Sequence, residues 1–262
     1  MKRARSFVEK RREDILNNIS STPDISVEEL AGLCHVSEVT VRRDLQILED
    51  EKKIVRFYGG ARVIEPDPFD EEEKRRLSCR DNIARYAAGL VNDNDTIFIN
   101  TSATALGILK YINCSNVTVI TNNARAVSYD LPEGVSVILT GGEIRYPKEA
   151  MVGEFAERNL QKVYAKKAFI GCAGISAECG VTTEIANEVN LNELMINRAT
   201  RSSYVLADYT KVGNNSSFRT CSIGRVRHLI TDVYADPAAL KKITDAGVVV
   251  HQVSNDEGET TR

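Results

Sequence analysis

The chain has 262 residues, of which 42% are hydrophobic and 27% charged, and its net charge is −3. Those proportions describe a globular protein of one to two domains with a core large enough to need no staples. They exclude a membrane-spanning helix, since no apolar run approaches the required length of about 18 residues, and the Met1-Lys-Arg-Ala-Arg-Ser6 start has no apolar signal region behind it, so a cytoplasmic location is expected.

Six cysteines form no Cys-x-x-Cys pair and stand beside only three histidines, so neither disulfides nor a zinc site is expected, and no cofactor is called for. The weak charge of the first 62 residues, 12 Lys+Arg against 11 Asp+Glu, argues against non-specific coating of nucleic acid. The cations are nevertheless clustered, at Lys2, Arg3 and Arg5, at Lys10 to Arg12, at Arg42 and Arg43, and at Lys52, Lys53 and Arg56. Local field matters more than the sum.

Phe7 to Ile19 carries apolar residues at Phe7, Val8, Ile15, Leu16 and Ile19, which suits a first helix broken at Thr22-Pro23-Asp24. Ser26 followed by Glu29 is a capping box and starts a second helix at Val27, ending near Cys34-His35. A short turn leads to Ser37, an N-cap for a third helix running to Glu51. In that helix Val41, Leu45 and Leu48 share one stripe, while Val39, Arg42, Arg43 and Gln46 point the other way. Two helices joined by a tight turn suggest a helix-turn-helix, whose second helix enters the major groove by its N-terminal half. That geometry brings Ser37, Glu38, Val39, Thr40, Arg42 and Arg43 to DNA, with Gln46 on the same face. Ile54, Val55, Phe57 and Tyr58 favour strand and Gly59-Gly60 a turn, so a wing follows, from which Arg56 reaches a phosphate or the minor groove.

Arg11-Arg12, Val27-Glu-Glu-Leu-Ala31, Val36-Ser37, Thr40-Val-Arg-Arg-Asp-Leu45, Leu48-Glu49 and Arg56-Phe-Tyr-Gly-Gly-Ala61 together resemble the N-terminal domain of the DeoR family of bacterial sugar-metabolism regulators. The expected fold class here is an all-α winged helix-turn-helix over residues 1–62.

Residues 63–80 are expected to be a linker. The stretch from Pro66 to Arg76 is charged and proline-bearing and runs into a helix through Ile83, Ala84, Tyr86, Ala87 and Leu90. From there, over 81–262, short apolar runs alternate with helical stretches. Strands are expected at Thr96–Ile99, Val117–Thr121, Val135–Thr140, Lys167–Ile170, Tyr204–Ala207, His228–Thr231 and Val248–His251. Helices are expected at about Ala103–Tyr111, Ala124–Tyr129, Phe155–Tyr164, Glu184–Ala199 and Pro237–Ala246. This alternation implies βαβ units, a mostly parallel sheet and an α/β Rossmann-like domain whose ligand sits at the C-terminal strand ends. Polar residues collect at those ends: Asn100-Thr-Ser-Ala-Thr104, Thr121-Asn-Asn123, Gly141-Gly142 with Arg145, Gly171-Cys-Ala-Gly174 with Gly180-Val-Thr-Thr183 beyond, and Asp208-Tyr-Thr-Lys211. The hydroxyls of Thr101, Ser102 and Thr104, with nearby backbone N–H groups, could hold an anion such as a phosphate.

Asp95-Thr-Ile-Phe-Ile99, Thr121-Asn122, Gly141-Gly142, Lys167-Ala-Phe-Ile-Gly171, Gly174-Ile175, Gly180 and Asp208-x-x-Lys211-x-Gly213 resemble the DeoR sensor domain, which is similar to ribose-phosphate isomerases and sugar-phosphate deaminases. At Asn100-Thr-Ser-Ala-Thr104 the chain departs from the family's usual Asp-x-Gly-Thr-Thr. The resemblance implies a phosphorylated sugar as effector, bound by Thr101, Ser102, Thr104, Asn122, Arg145, Asp208 and Lys211. Lys211 would face ligand oxygens, and Asp208 would accept from hydroxyls or orient the lysine. It also implies a repressor of a sugar-metabolism operon, acting on double-stranded operator DNA.

The competing reading is a sugar-phosphate isomerase or deaminase-like enzyme with an added helical domain. Such chemistry needs a general base beside the sugar carbons. Gly171 to Ala177 contains no Asp, Glu or His, Glu178 and Glu184 lie further on, and Asp208 is the acidic candidate at a strand end. A regulator rather than an enzyme is therefore expected, with no catalytic residues, working as a homo-oligomer because two half-sites are needed for useful affinity.

Overall fold

The computed structural model describes residues 10–12, 14–19, 25–50, 54–57, 60–63 and 68–254. Phe7, Val8, Thr22 to Asp24, Lys52, Lys53, Tyr58, Gly59 and Pro66, each given a place in the sequence reading, lie outside the described residues. The chain divides into two compact units, residues 1–73 and 74–262.

In the first unit, α1 is helical at 10–12 and 14–19. Helix α2 (Val27–Leu33) is opened by Ser26, whose hydroxyl accepts from the Glu29 N–H while the Glu29 carboxylate accepts from the Ser26 N–H. The chain leaves α2 through His35 at φ 53°, with Val36 N–H donating to Ala31 O and His35 N–H to Gly32 O. That is the helix-ending pattern usually built on glycine. Here a histidine adopts it, and the turn into α3 (Glu38–Asp50) follows. Strands β1 (Ile54–Phe57) and β2 (Gly60–Val63) pair antiparallel, Ile54 opposite Val63 and Phe57 opposite Gly60. Ile15, Ile19, Leu30, Val41, Leu45, Leu48 and Ile54 form the core of the unit. The stripe expected of the third helix is the stripe that is buried.

Helix α4 (Pro68–Ala88) is unbroken, so the stretch read as a linker is helical from Pro68 onward. Seven strands make one fully parallel sheet: β3 (Thr96–Ile99), β4 (Val117–Thr121), β5 (Val135–Leu139), β8 (Ala165–Gly171), β11 (Ala199–Leu206), β13 (His228–Asp232) and β14 (Val249–Val253). Their order is β14-β13-β11-β8-β3-β4-β5. Every strand expected of the sheet is in it.

Period-two alternation sorts the strand residues onto two faces. Ile97, Ile99, Val117, Val119 and Phe169 pack with Ile83, Ala84 and Ala87 of α4 and with α5 (Ala103–Leu106). Phe98, Ile120, Ala168, Ile170 and Val205 pack with α6 (Glu154–Leu160), α7 (Val189–Asn197) and α8 (Pro237–Asp245). On the first face the Tyr86 hydroxyl lies 3.0 Å from His251 Nδ1, and His251 Nε2 lies 3.1 Å from His228 Nδ1. This chain ties α4 to β13 and β14, and burial holds both imidazoles below the ordinary histidine range.

Three differences from the sequence reading concern the loops. Gly107–Lys110, Ala124–Ser128 and Ala186–Glu188 are 3₁₀ turns where helix was expected. The expected strand at Tyr204 begins five residues earlier, at Ala199. Two small sheets were not anticipated: β6 (Glu143–Arg145) with β7 (Ala150–Val152), and β12 (Phe218–Cys221) with β10 (Gly180–Thr183) and β9 (Gly174–Ser176). Among the described residues no helix is long and apolar enough to cross a membrane.

Candidate functional site

The outer face of α3 is the first candidate. Ser37 caps the helix, its Oγ 3.4 Å from Thr40 N and 2.9 Å from Thr40 Oγ1, so these two hydroxyls serve each other first. Val39 is 75% exposed, and Arg42, Arg43 and Gln46 are exposed with it. Arg42 Nη2 makes a surface pair with Glu38 Oε2 at 2.9 Å. An exposed pair of this kind contributes little and yields to a phosphate at small cost. The Arg43 guanidinium has no hydrogen bond or ion pair among the described residues. Arg56 lies on β1 opposite Ala61, and its side chain is outside the described residues.

Arg11 and Arg12, read as part of a cation cluster, have a structural task instead. Arg11 Nε donates to Asp44 Oδ2 at 2.7 Å and Arg12 Nε to Asp44 Oδ1 at 3.1 Å. Asp44 is 3% exposed. The two arginines thus clamp the inner side of α3 to α1, and the outer arginines remain for a ligand.

The second candidate is a cavity of about 320 Å³ in the second unit. It lies where the chain order reverses: β3 is followed outward by β4 and β5, and the chain then returns to β8 on the other side of β3. A crevice outside the C-terminal strand ends at such a reversal is the place where open α/β sheets hold ligands. The loop after β3 is bound to the end of β8 by Asn100, which is 2% exposed. Its Nδ2 donates to Gly171 O at 2.9 Å and to Asn192 Oδ1 at 3.0 Å, and its Oδ1 accepts from Gly171 N at 3.0 Å. The loop sits so close to β8 that a Cβ on Gly171 would overlap the Ser102 side chain. The Asn100 amide thus both donates to and accepts from the backbone of the single residue Gly171, which an ionised carboxylate could not do.

Thr101, Ser102, Thr104, Asp208 and Lys211 all line the cavity. They are not equally available. The Thr101 hydroxyl donates to Glu188 Oε1 at 3.0 Å, and Ser102 Oγ caps α5 by accepting from Ala105 N. Asp208 is 3% exposed; its Oδ2 accepts from Arg80 Nε at 2.7 Å and its Oδ1 from Thr210 N and the Thr210 hydroxyl. Of the two roles expected of it, it does not orient Lys211: it holds Arg80 instead. Thr104 Oγ1 and the Lys211 ammonium have no hydrogen bond or ion pair among the described residues, and both face the cavity.

Asn122 and Arg145 do not line the cavity. Asn122 is fully buried, its Nδ2 donating to Met151 O at 3.2 Å, and it supports the neighbouring β7. Arg145 is exposed on β6 and pairs with Glu143 at 3.1 Å. The residue beside each expected position, or a few places on, does the lining: Asn123, Arg125 and Lys148.

Arg80, Arg125, Lys148 and Lys211 give the cavity four cationic side chains, against Glu184, Glu188 and Asp208. Glu188 is 3% exposed and accepts from Thr101 and from Thr183 Oγ1 at 3.1 Å, with Lys148 Nζ 3.7 Å away. Burial pushes the Cys172 thiol in the cavity wall up to about 12, so it is a protonated apolar neighbour and no nucleophile. Sequence reasoning missed Arg80 because it stands in a charge-rich helix. Arg125 was the more visible, two residues past a polar strand-end loop.

A family model described as a DeoR-like helix-turn-helix domain matches residues 11–67, and one described as the DeoR C terminal sensor domain matches residues 75–233. The chain is 33% identical over 252 residues to YulB of Bacillus subtilis (strain 168), an uncharacterized HTH-type transcriptional regulator, covering 94% of this chain and 97% of that protein. It is 31% identical to the HTH-type transcriptional regulator GolR of Listeria innocua, covering 93% and 98%. It is 30% identical to the HTH-type transcriptional repressor GlcR of Bacillus subtilis, covering 97% and 99%. Among solved structures, ribose 5-phosphate isomerase from Plasmodium falciparum aligns at 13% identity and a TM-score of 0.36, covering 50% of this chain and 51% of that one, a likeness too slight to bear on function.

Proposed function

The chain belongs to the DeoR family and is a DNA-binding transcriptional regulator with a sensor domain, and from that premise we propose that it represses a sugar-metabolism operon until a phosphorylated sugar fills the cavity of the second unit. The observation that carries the effector reading is the cationic lining: four basic side chains, one of them the unengaged Lys211, at a strand-reversal crevice. A phosphate suits Lys211 as a compact cation and Arg80 and Arg125 as planar donors. Thr104 Oγ1 and Asn123 are neutral partners for sugar hydroxyls. On the DNA side, Val39, Arg42, Arg43 and Gln46 read base edges, Ser37, Thr40 and Arg56 hold the backbone, and a homo-oligomer presents two such heads to two half-sites.

The isomerase reading asks for a carboxylate free to take a proton from a sugar carbon. Asp208 and Glu188 are each held by two or more donors, and Glu184 is exposed at the rim. That arrangement supports a sensor.

The test is a thermal-shift series of phosphorylated sugars against their unphosphorylated forms. A ligand that binds only the native state raises the melting temperature, by an amount equivalent to about 2.7 kcal/mol at a hundredfold excess over Kd. At least one phosphorylated sugar is expected to do so and its free sugar is not. Lys211→Met is expected to lose the shift while melting near the wild-type temperature by itself. No shift with any phosphorylated sugar, or an undiminished shift in Lys211→Met, would count against the reading.

A further inference from the structure

We propose that the Arg80–Asp208 ion pair is the effector-sensitive joint of this regulator: the ligand's anionic group competes with Asp208 for the guanidinium that ties helix α4 to the end of β11. The inference rests on the reading of the cavity as the effector site. It adds a residue that contacts the ligand and a route from that contact to the helix.

Of the residues that line the cavity, Arg80 is the one carried by α4. The others lie at strand ends, in the short helix α5, or in the loops and 3₁₀ turns between strands. Arg80 Nε donates to Asp208 Oδ2 at 2.7 Å, a bond between residues 128 positions apart. Its two terminal nitrogens have no hydrogen-bond partner among the described residues, and the side chain is 27% exposed toward the cavity. A guanidinium presents five N–H donors in a fixed fork. Here one edge is taken and the terminal edge is open to an oxyanion. Asp208 cannot follow an arginine that moves, because its other oxygen is held by Thr210 N and the Thr210 hydroxyl.

The place of this bond along α4 gives it leverage. From Cys79 onward the helix is held by apolar burial: Cys79, Ile83, Ala84 and Ala87 are all within 1% of full burial. Before that point the burial fades. Glu71, Glu72, Lys74, Arg75, Leu77 and Ser78 are exposed, Leu77 at 54%. Arg80 therefore sits at the boundary between the packed half of α4 and the half that leads back to Pro68. A contact that differs in strength with the cavity empty and filled can shift a two-state element, and only to the extent of that difference. An anion at the open edge of Arg80 supplies such a difference, because it draws on the charge that Asp208 otherwise neutralises.

The test breaks the joint without any ligand. Full-length wild type, Arg80→Met, Asp208→Asn and, as a surface control, Arg158→Met are titrated onto an operator duplex selected from random DNA, and each is melted separately. Arg80→Met removes the cation and keeps the stem. Asp208→Asn keeps the shape and the acceptor for Thr210 while turning the other position into a donor that cannot hold Arg80. Both are expected to change ligand-free operator affinity by about tenfold or more, the size of an ordinary coupling, and Arg158→Met, an exposed i,i+4 pair, to leave it unchanged. Arg80→Lys retains the cation without the Nε geometry and is expected to fall between, which separates a joint from a folding defect. Wild-type operator affinity in both Arg80→Met and Asp208→Asn would overturn the proposal. Because no ligand is used, that failure is distinct from failure of sugar phosphates to bind.

Discussion

Asp44→Ala is expected to destabilise the first unit by about 3 kcal/mol and to weaken operator binding with it. Asp44 lies on α3 but faces inward, 3% exposed, and accepts from both Arg11 Nε and Arg12 Nε. Removing the carboxylate strands two largely buried cations, with side chains 17% and 24% exposed, against an apolar core. Removing one partner of a buried pair costs about 3–5 kcal/mol, and the partial exposure of the arginines brings this toward the lower end. A unit of this size has little reserve, since small domains bury a smaller share of their surface and total stabilities run at about 5–15 kcal/mol. The chain contains no tryptophan, so helix loss is best followed by circular dichroism in urea. Asp44→Asn retains two acceptor lone pairs and is expected to lose less. An Asp44→Ala protein that melts and binds operator as the wild type does would show that the clamp contributes nothing.

Asn100→Asp is expected to cost the second unit about 2–4 kcal/mol and to disorder the cavity loop, from the penalty for a buried acceptor left without a donor. Asn100 Nδ2 now points at two acceptors, Gly171 O and Asn192 Oδ1. A carboxylate oxygen in that position faces both without a proton. The new acid is relieved only by protonation, so its folded pKa rises above the unfolded value of about 3.9. A group with a raised folded pKa binds more protons when folded, so stability is lost as pH rises through the shifted value. The variant is accordingly expected to be nearer to wild type at mildly acidic pH than at alkaline pH. Equal stability of variant and wild type across that range would contradict the account of the loop.

Much of this molecule was legible in its residues because its elements follow strong periods. Val41, Leu45 and Leu48 announce a helix face, and the seven apolar runs from Thr96 to His251 each became a strand of the main sheet. The polar strand ends pointed to the edge of that sheet where the cavity lies. What was hidden depends on tertiary pairing. Arg11 and Arg12 looked like free cations because Asp44 is more than thirty residues away. Arg80 falls at the end of the stretch expected to be a linker, although its partner lies 128 residues on. The three-residue strands β6, β7 and β9 are too short to show a period, so Arg145 reads as part of the polar loop after the third strand and not as part of a surface hairpin. Asn122 and Asn123 are both buried just beyond the end of β4, and no period separates them in the sequence, yet Asn123 lines the cavity and Asn122 does not.

The central claim, that α3 reads DNA with its outer arginines, is tested most directly by titrating wild type and Arg43→Ala onto a labelled operator duplex and onto a scrambled duplex at one salt concentration. Arg43 is exposed and unengaged among the described residues, so the substitution leaves the fold unchanged. If Arg43 meets a base edge, the operator Kd rises by the equivalent of about 1–3 kcal/mol while the scrambled duplex loses little. Equal operator affinity in the two proteins would contradict the assignment of α3 as the reading helix.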